Sequence, residues 1–596
     1  MIGSEALYSG YITYRMTAQT PLMIDDGHGS FYRSADGSYA IPGSTIRGLI
    51  RNHVQILSFA DVSKDMDDYY LMYRAVAGGC QKDDYAQVLG AGTKDINGRQ
   101  MSILKNVKAG YIKREGKKYY LYQNIGDSDG TFQPGDTDYY VVSERYVLER
   151  ARKEFAYILR DNGRHLQNFP PFRETRDRNN KLQYIGRENK QYVPYYEEIT
   201  YSTANGKVSG IAKNELKRTG TVLSSGFIGK KKAFYVIPEA DLSSRKEIPE
   251  ESIQSFQADY NRRKNGIKKE AQAFFDLPAE GELRPAFYIE LEGRLYIGYT
   301  PRLRLMYRYS ILNGQTQKNR PACDYAEALF GYVTEDKAYK SRVFFTEARL
   351  TNDKTCRPQD EDVLILAEPK PTSYLEYLKQ TDGQKVRTYN DRDFELRGVK
   401  QYWLQKIVQK NPEGASTNEK IYSKIAPIET GSEFEGTIRF RNLTEAELGL
   451  LLWSIRLEKD SQINLGKAKA YGYGRACVDQ TTLYLQNSQK AYDLAGGIFG
   501  TDPFEQQTDE KRDAFVEAWQ KALAGWLGGG TNRTEQPVRT DREVIMANPS
   551  IRDFFGMKSV IKEGRDVTYM TLEEFKQYKQ KNNPLPEAKA YIGRRS

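Results

Sequence analysis

The stretch IPGSTIRGLIRNH, residues 41–53, reads as a strand end, a turn and the start of a helix. From about Ser44 onward, Ile46, Leu49, Ile50, Val54 and Leu57 recur at spacings that put them on one helical face. Arg47 and Arg51, one turn apart, share another face. Ser44 or Thr45 is expected to cap the first turn. A helix start offers amide N–H groups and the positive end of the helix dipole, so it is a ready phosphate site, with Arg47 and Arg51 placed to clamp a second phosphate. The same residues would also make a capped amphipathic helix with a solvated basic face, and the stretch alone does not separate the two readings.

On the N-terminal side, GYITYRMTA (10–18) alternates as a half-buried strand does. The polar turn IDDGHGS (24–30), the short strand SFYRS (30–34) and the turn ADGS (35–38) lead into the helix entry. On the C-terminal side, residues 59–284 are less regular. They hold a basic aromatic segment, KNVKAGYIKREGKKYYLY (105–122), a polar aperiodic region (160–210) that reads as a loop or insertion, two strands around a Gly/Lys turn (219–237) and a helical, basic stretch (249–275). Regularity returns with AFYIELEGRLYIGYT (286–300), a strand, a turn and a strand. CDYAEALFG (323–331) is a short helix closed by Gly331, and SRVFFTEARL (341–350) is a strand. FEGTIRFRNLTEAELGLLLWSIRL (434–457) is a strand followed by a helix capped by Asn442 or Thr444, with Leu448, Leu451, Leu452 and Ile455 facing inward. INLGKAKAYGYGRACV (463–478) is a glycine-rich loop entering a strand. After about residue 490 the chain is helical and charged, interrupted by the linker-like GWLGGGTNRTEQP (525–537).

The bulk composition narrows the partners. The 596 residues carry a formal net charge of +10, which favours an anionic partner. There are 44 tyrosines against 4 tryptophans, and many tyrosines sit beside Lys or Arg, as in KKYYLY and MYRYS. Rings stack bases and cations neutralise phosphates, so this pairing points to nucleic acid. Mean hydropathy is −0.71 and no apolar run reaches spanning length, so no membrane role is expected, and the N-terminus lacks a leader pattern, which reads as cytoplasmic. Four scattered cysteines and 3 histidines give no zinc-ligand spacing, and the cysteines are expected to be buried free thiols. In LGKAKAYGYGR, Gly466, Gly472 and Gly474 can let backbone approach a phosphate chain while Lys467, Lys469 and Arg475 add charge; a twisted bulge with solvated lysines is the competing reading. The loop is not a Walker phosphate loop, because GxxxxGK[ST] is missing.

Taken in order, Pro42-Gly43-Ser44-Thr45-Ile46-Arg47-Gly48, Leu329-Phe330-Gly331, Glu347-Ala348 and Leu465-Gly466-Lys467 through Gly474 resemble the motif set of the RAMP superfamily of CRISPR-associated proteins, most of all the large backbone subunits of type III systems. The resemblance covers about 1–58 and 285–480. It implies an α+β chain with a ferredoxin-like (RRM-like) core or cores, large insertions and a helical C-terminal extension. The expected divisions are 1–58 as the first part of the core, 59–284 as an insertion or second degenerate module, 285–480 as the rest of the core, and 481–596 as the extension. It implies an RNA-binding subunit of an antiviral ribonucleoprotein, with guide RNA, target RNA and other effector subunits as partners. On that reading Ser44, Thr45, Arg47, Arg51, Gly466, Lys467, Lys469, Gly472, Gly474 and Arg475 face the guide.

Related backbone subunits cut target RNA with an aspartate after the first strand, helped by a metal. The corresponding place falls at about His28, a departure from the family pattern, with Asp25 and Asp26 beside it. Asp25 and Asp26 would hold a divalent cation such as Mg²⁺ and His28 would move a proton; a polar turn capped by its own aspartates is the alternative. Two further readings stay open: a guide-maturing endoribonuclease using His28 or His53, and a non-catalytic protein-binding scaffold.

Overall fold

The computed structural model describes the chain apart from residues 1–5, 77–78, 97–98, 127–136, 144–172, 177–181, 186–194, 213, 225–232, 268, 315–322, 358–361, 367–369, 382–384, 407, 410–421, 492–501, 529–539, 561–566, 568, 583, 591 and 593–596. The Gly/Lys turn expected near 229–232, most of the polar region expected over 160–210 and most of the linker expected over 525–537 lie outside the described residues.

The largest sheet is antiparallel and draws on both ends of the chain. Its elements are β1 (Tyr8–Ala18), β2 (Ala40–Ile41), β3 (Val343–Phe345), β4 (Ala348–Leu350), β5 (Glu433–Leu443), β6 (Ile463–Asn464), β7 (Arg475–Gln486) and β8 (Phe504–Gln506). The order is β2-β4-β5-β1-β7-β6, with β3 also on β5 and β8 on β7. Two helices pack on one face of it: α1 (Gly43–Leu57) and α3 (Glu445–Arg456), while the short α2 (Tyr325–Phe330) sits beside α1. Along the chain the succession is strand, helix, strand, strand, helix, strand, and β1 lies between β5 and β7. Helices α4 (Asp509–Gly528), α5 (Asp541–Ala547) and α6 (Pro549–Met557) pack behind α3 and α1.

Local chemistry explains these elements. On β1, Ile12, Tyr14, Met16 and Ala18 alternate inward, while Tyr11, Thr13, Arg15 and Thr17 keep part of their surface. On α1 the buried side chains are Ile46, Ile50, His53, Val54 and Leu57. Thr444 and Glu447 close a reciprocal capping box at the start of α3, whose Leu448, Leu451, Leu452 and Ile455 are all buried. Asp324 and Glu327 do the same for α2, and Gly331 ends it at φ 77°.

Several expectations are corrected. The N-cap of α1 is Pro42, with no side-chain cap, so Ser44 and Thr45 lie in the first turn instead; proline fits there because its fixed φ suits a helix entry. The strand expected over 341–350 is split into β3 and β4, because Thr346 and Glu347 turn aside to bond Thr437 and Ser34. The pair Leu283–Leu291 and Arg294–Gly298 joins the strand Lys108–Glu115 in a separate five-stranded sheet, so an expected division at 285 falls inside that sheet. Its residues are apolar on both faces and are covered by the helix Glu250–Arg263 on one side. A further five-stranded sheet comprises Tyr140–Ser143, Tyr195–Ala204, Lys207–Ala212, Arg218–Ser224 and Ala233–Pro238. Cys80, Cys356 and Cys477 are half-buried and Cys323 is exposed, against the expectation of buried thiols; all four are free. Among the described residues no helix is long and apolar enough to cross a membrane.

Candidate nucleic-acid interface

At one end of the large sheet the glycine-rich loop between β6 and β7 packs on the loop after β1, whereas the entry to α1 follows β2 at the opposite edge. The Lys467 amide donates to the Met23 carbonyl (2.8 Å), the Gly474 amide to Pro21 (2.9 Å), and Thr20 Oγ1 donates to Gly472 (2.8 Å) while accepting from the Arg475 amide (3.0 Å). Gly466 has φ 81°, and a Cβ there would stand 2.2 Å from the Met23 oxygen. The glycines therefore serve close backbone packing, and the amides of Lys467, Gly472, Gly474 and Arg475 are spent inside the protein. The loop after β1 then returns through the Asp25–Phe31 bridge and the Tyr32 and Ala40 amides to β2 and α1.

The entry to α1 is equally tight. A Cβ on Gly43 would lie 2.4 Å from the Phe345 oxygen, which explains the glycine after Pro42. Arg47 Nη2 donates to the Phe330 carbonyl (2.9 Å), with its guanidinium 5.4 Å from the Phe330 ring centroid. Burial, and then the charge of Arg51, push the Arg47 pKa down. Arg47 thus ties α1 to the Leu329-Phe330-Gly331 element. Arg51 pairs with Asp65 at 2.8 Å, both side chains partly exposed. Ser44 is exposed and Thr45 half-exposed.

The remaining cations are also engaged. Lys467 Nζ sits 2.6 Å from Asp25 Oδ2. Lys469 Nζ donates to the Gly466 carbonyl (2.8 Å), and burial lowers its pKa, followed by repulsion from Lys400. Arg475 binds Gln462 Oε1 (3.0 Å) and the Gln19 carbonyl (3.3 Å).

Asp25 and Asp26 form two overlapping turns of the Asx type. Asp25 Oδ1 accepts from the Gly27 and Gly29 amides (2.8 and 3.1 Å), and Asp26 Oδ1 from the His28 and Ser30 amides (2.7 and 3.2 Å). Burial pushes the Asp25 pKa up, but the bond from Lys467 and the two glycine amides outweigh it and hold it below its ordinary value. His28 is exposed. Both oxygens of Asp25 are thus taken, one of them by an ammonium, and among the described residues no third His, Cys, Asp or Glu completes a metal-binding group. In this arrangement the pair does not fit a divalent cation, which needs several oxygen ligands free of a competing cation. His53 is buried, with Nδ1 donating to the Ser454 carbonyl (2.8 Å), and is a structural histidine.

This geometry surrounds the segment on which the comparison with known families falls. Residues 15–235 match the RAMP superfamily. The RAMP match begins within β1, includes α1 with Arg47 and Arg51, and ends in the strand Ala233–Pro238. The strands that complete the large sheet beside β1 lie beyond the RAMP-matched residues. No curated protein matches the chain.

Proposed function

We propose that the chain is a cytoplasmic RNA-binding subunit of a type III CRISPR effector ribonucleoprotein and holds guide RNA by its backbone, with target RNA and neighbouring effector subunits as its other partners. What supports this reading is the packing of the glycine-rich loop on the loop after β1, with α1 following β2 at the other edge of the same sheet, in a chain whose residues 15–235 match the RAMP superfamily. The strand–helix–strand–strand–helix–strand succession, with β1 between β5 and β7, is read as the ferredoxin-like core that this similarity implies. The start of α1 has no side-chain cap, so its positive end is available to a phosphate.

Two cations are suited to the grip. Arg51–Asp65 and Lys467–Asp25 are partly exposed pairs, each worth no more than about 1 kcal/mol. A phosphate oxygen can replace either carboxylate at little cost. Arg47 and Arg475 hold backbone carbonyls and position the site. Lys467 occupies Asp25, so target cleavage is not part of the proposed role.

The test is purification of the protein from its host, with sequencing of the bound RNA. Short RNAs sharing a common 5′ tag are expected, and mixed cellular RNA would reject the reading. Charge reversal by Arg51→Glu with Lys467→Glu is expected to cut the bound guide about tenfold and to flatten the salt dependence. Normal loading of that variant would mean that the grip lies elsewhere.

A further inference from the structure

The face of the large sheet opposite α1 and α3 has a different character from the site above. Register sets its residues in rows. Phe344 on β3 stands opposite Arg439 on β5, Arg439 opposite Tyr11 on β1, and Tyr11 opposite Tyr484 on β7. Alternation sends all four outward, since Ile12, Ile438, Phe440, Leu483 and Val343 beside them are buried. The Tyr11 and Tyr484 rings are stacked, with centroids 4.5 Å apart and planes 15° apart, and Phe504 on β8 stands edge-on to Tyr11 at 5.2 Å. Phe344 is 38% exposed, with Arg441 and Lys340 each 5.9 Å from its ring centroid. Thr13, Thr437 and Thr482 form the next row and remain half-exposed.

The charges are unevenly placed. Arg439 and Arg441 are exposed, and among the described residues neither is in an ion pair. In the α1 and glycine-loop site, by contrast, every cation has a partner. The carboxylates of this face, Glu433, Glu435 and Asp479, lie toward the other end of the strands, where Glu435 faces Arg15 and Asp479 accepts from Thr17. Asp502 is the acid that acts on Tyr11.

An exposed Phe344 and the half-exposed Tyr11 and Tyr484 in one row, with Arg439 between them, Arg441 beside Phe344 and hydroxyls alongside, suit a polyanion that carries flat bases. Unpaired bases can stack on such rings, whereas bases inside a duplex are already stacked on each other. We propose that this outer face, centred on Phe344, Arg439, Arg441, Tyr11 and Tyr484, binds single-stranded RNA, the rings stacking bases and the arginines meeting phosphates. The proposal rests on the RNA-binding reading of the chain and adds a second surface to it, on the other side of the same sheet from α1.

The test uses the full chain freed of nucleic acid and a fluorescein-labelled 12-nucleotide single-stranded RNA of mixed sequence, followed by anisotropy. Tyr11→Ala with Tyr484→Ala is expected to weaken binding about tenfold or more, and Tyr11→Phe with Tyr484→Phe to restore it. Arg439→Gln with Arg441→Gln is expected to lower the slope of log affinity against log salt by about 1.4, from roughly 0.7 per phosphate on a single strand. The same RNA carrying 5-iodouridine is expected to crosslink on irradiation to peptides from 8–18 or 475–486 of the unmodified protein. Affinities within twofold of the parent in both the alanine and the glutamine variants, or crosslinks only elsewhere, would overturn the proposal and leave the face as a protein contact. Failure here is distinct from failure of the guide-holding reading, which is judged by the RNA that co-purifies from the host.

Discussion

Lys558 is a buried cation beside a buried histidine. Its side chain is 1% exposed, with the ammonium 3.4 Å from Asn464 Oδ1 and 5.4 Å from the Phe554 ring centroid. Burial, and then Lys469, push its pKa down to about 8 from 10.5. Below about pH 8 the proton is present in both folded and unfolded chains, and the folded state bears the cost of the buried charge. Between about pH 8 and 10.5 the unfolded chain holds more protons, so stability rises with pH. Lys558→Met is therefore expected to stabilise the protein by on the order of 2 kcal/mol at pH 7 and to lose that advantage by pH 10.5, as read from thermal melts. His53 has the same sign in a lower pH window: burial, and then Lys558, lower it from 6.5 to about 3. Below pH 6.5 the unfolded chain gains a proton that the folded chain refuses, so acid costs up to about 1.4 kcal/mol per pH unit. His53→Gln is expected to flatten the melting curve between pH 6.5 and 5, and an unchanged acid slope would count against this account.

At the scale of elements, the glycine-rich loop and the α3 cap make separable contributions. Gly466→Ala puts a methyl against the Met23 carbonyl at a φ that alanine resists, and is expected to cost about 1–3 kcal/mol and to loosen the loop after β1. Thr444→Ala removes one arm of a capping box and is expected to cost about 1 kcal/mol without moving the loop. Denaturant melts give the first quantity, and hydrogen exchange at the Gly474 and Lys467 amides distinguishes the two variants. Most of these elements were legible because their signals are local: the period of α1, the alternation of β1 and β5, and the Thr444 to Glu447 spacing. The cap of α1 was misread because proline can take the N-cap position that Ser44 and Thr45 also favour. The rings on the outer face were missed because Tyr11 and Tyr484, 473 residues apart, share no local pattern; the only trace was the polar phase of the alternation in 10–18.

At the scale of the molecule, the large sheet closes over a long loop. β1 is held on one side by β5 and on the other by β7, both more than 400 residues downstream. A protease site placed at the exposed Gly116 turn, between the strands Lys108–Glu115 and Lys118–Gln123, is expected to give two pieces that co-elute on size exclusion and separate only in denaturant. Separation under native conditions would show that the sheet is weaker than its pairing implies. The sequence by itself determined the strand and helix types, the basic and tyrosine-rich character, and the motif order that resembles the RAMP superfamily, since each of these depends on composition or on neighbours a few residues apart. Only the tertiary structure decided which strands lie side by side, that Arg47 and Arg475 hold carbonyls, that Lys467 takes Asp25, and that Arg439, Tyr11 and Tyr484 stand in one row. Sheet register and ion pairing are fixed by contacts between distant segments, which no local pattern encodes.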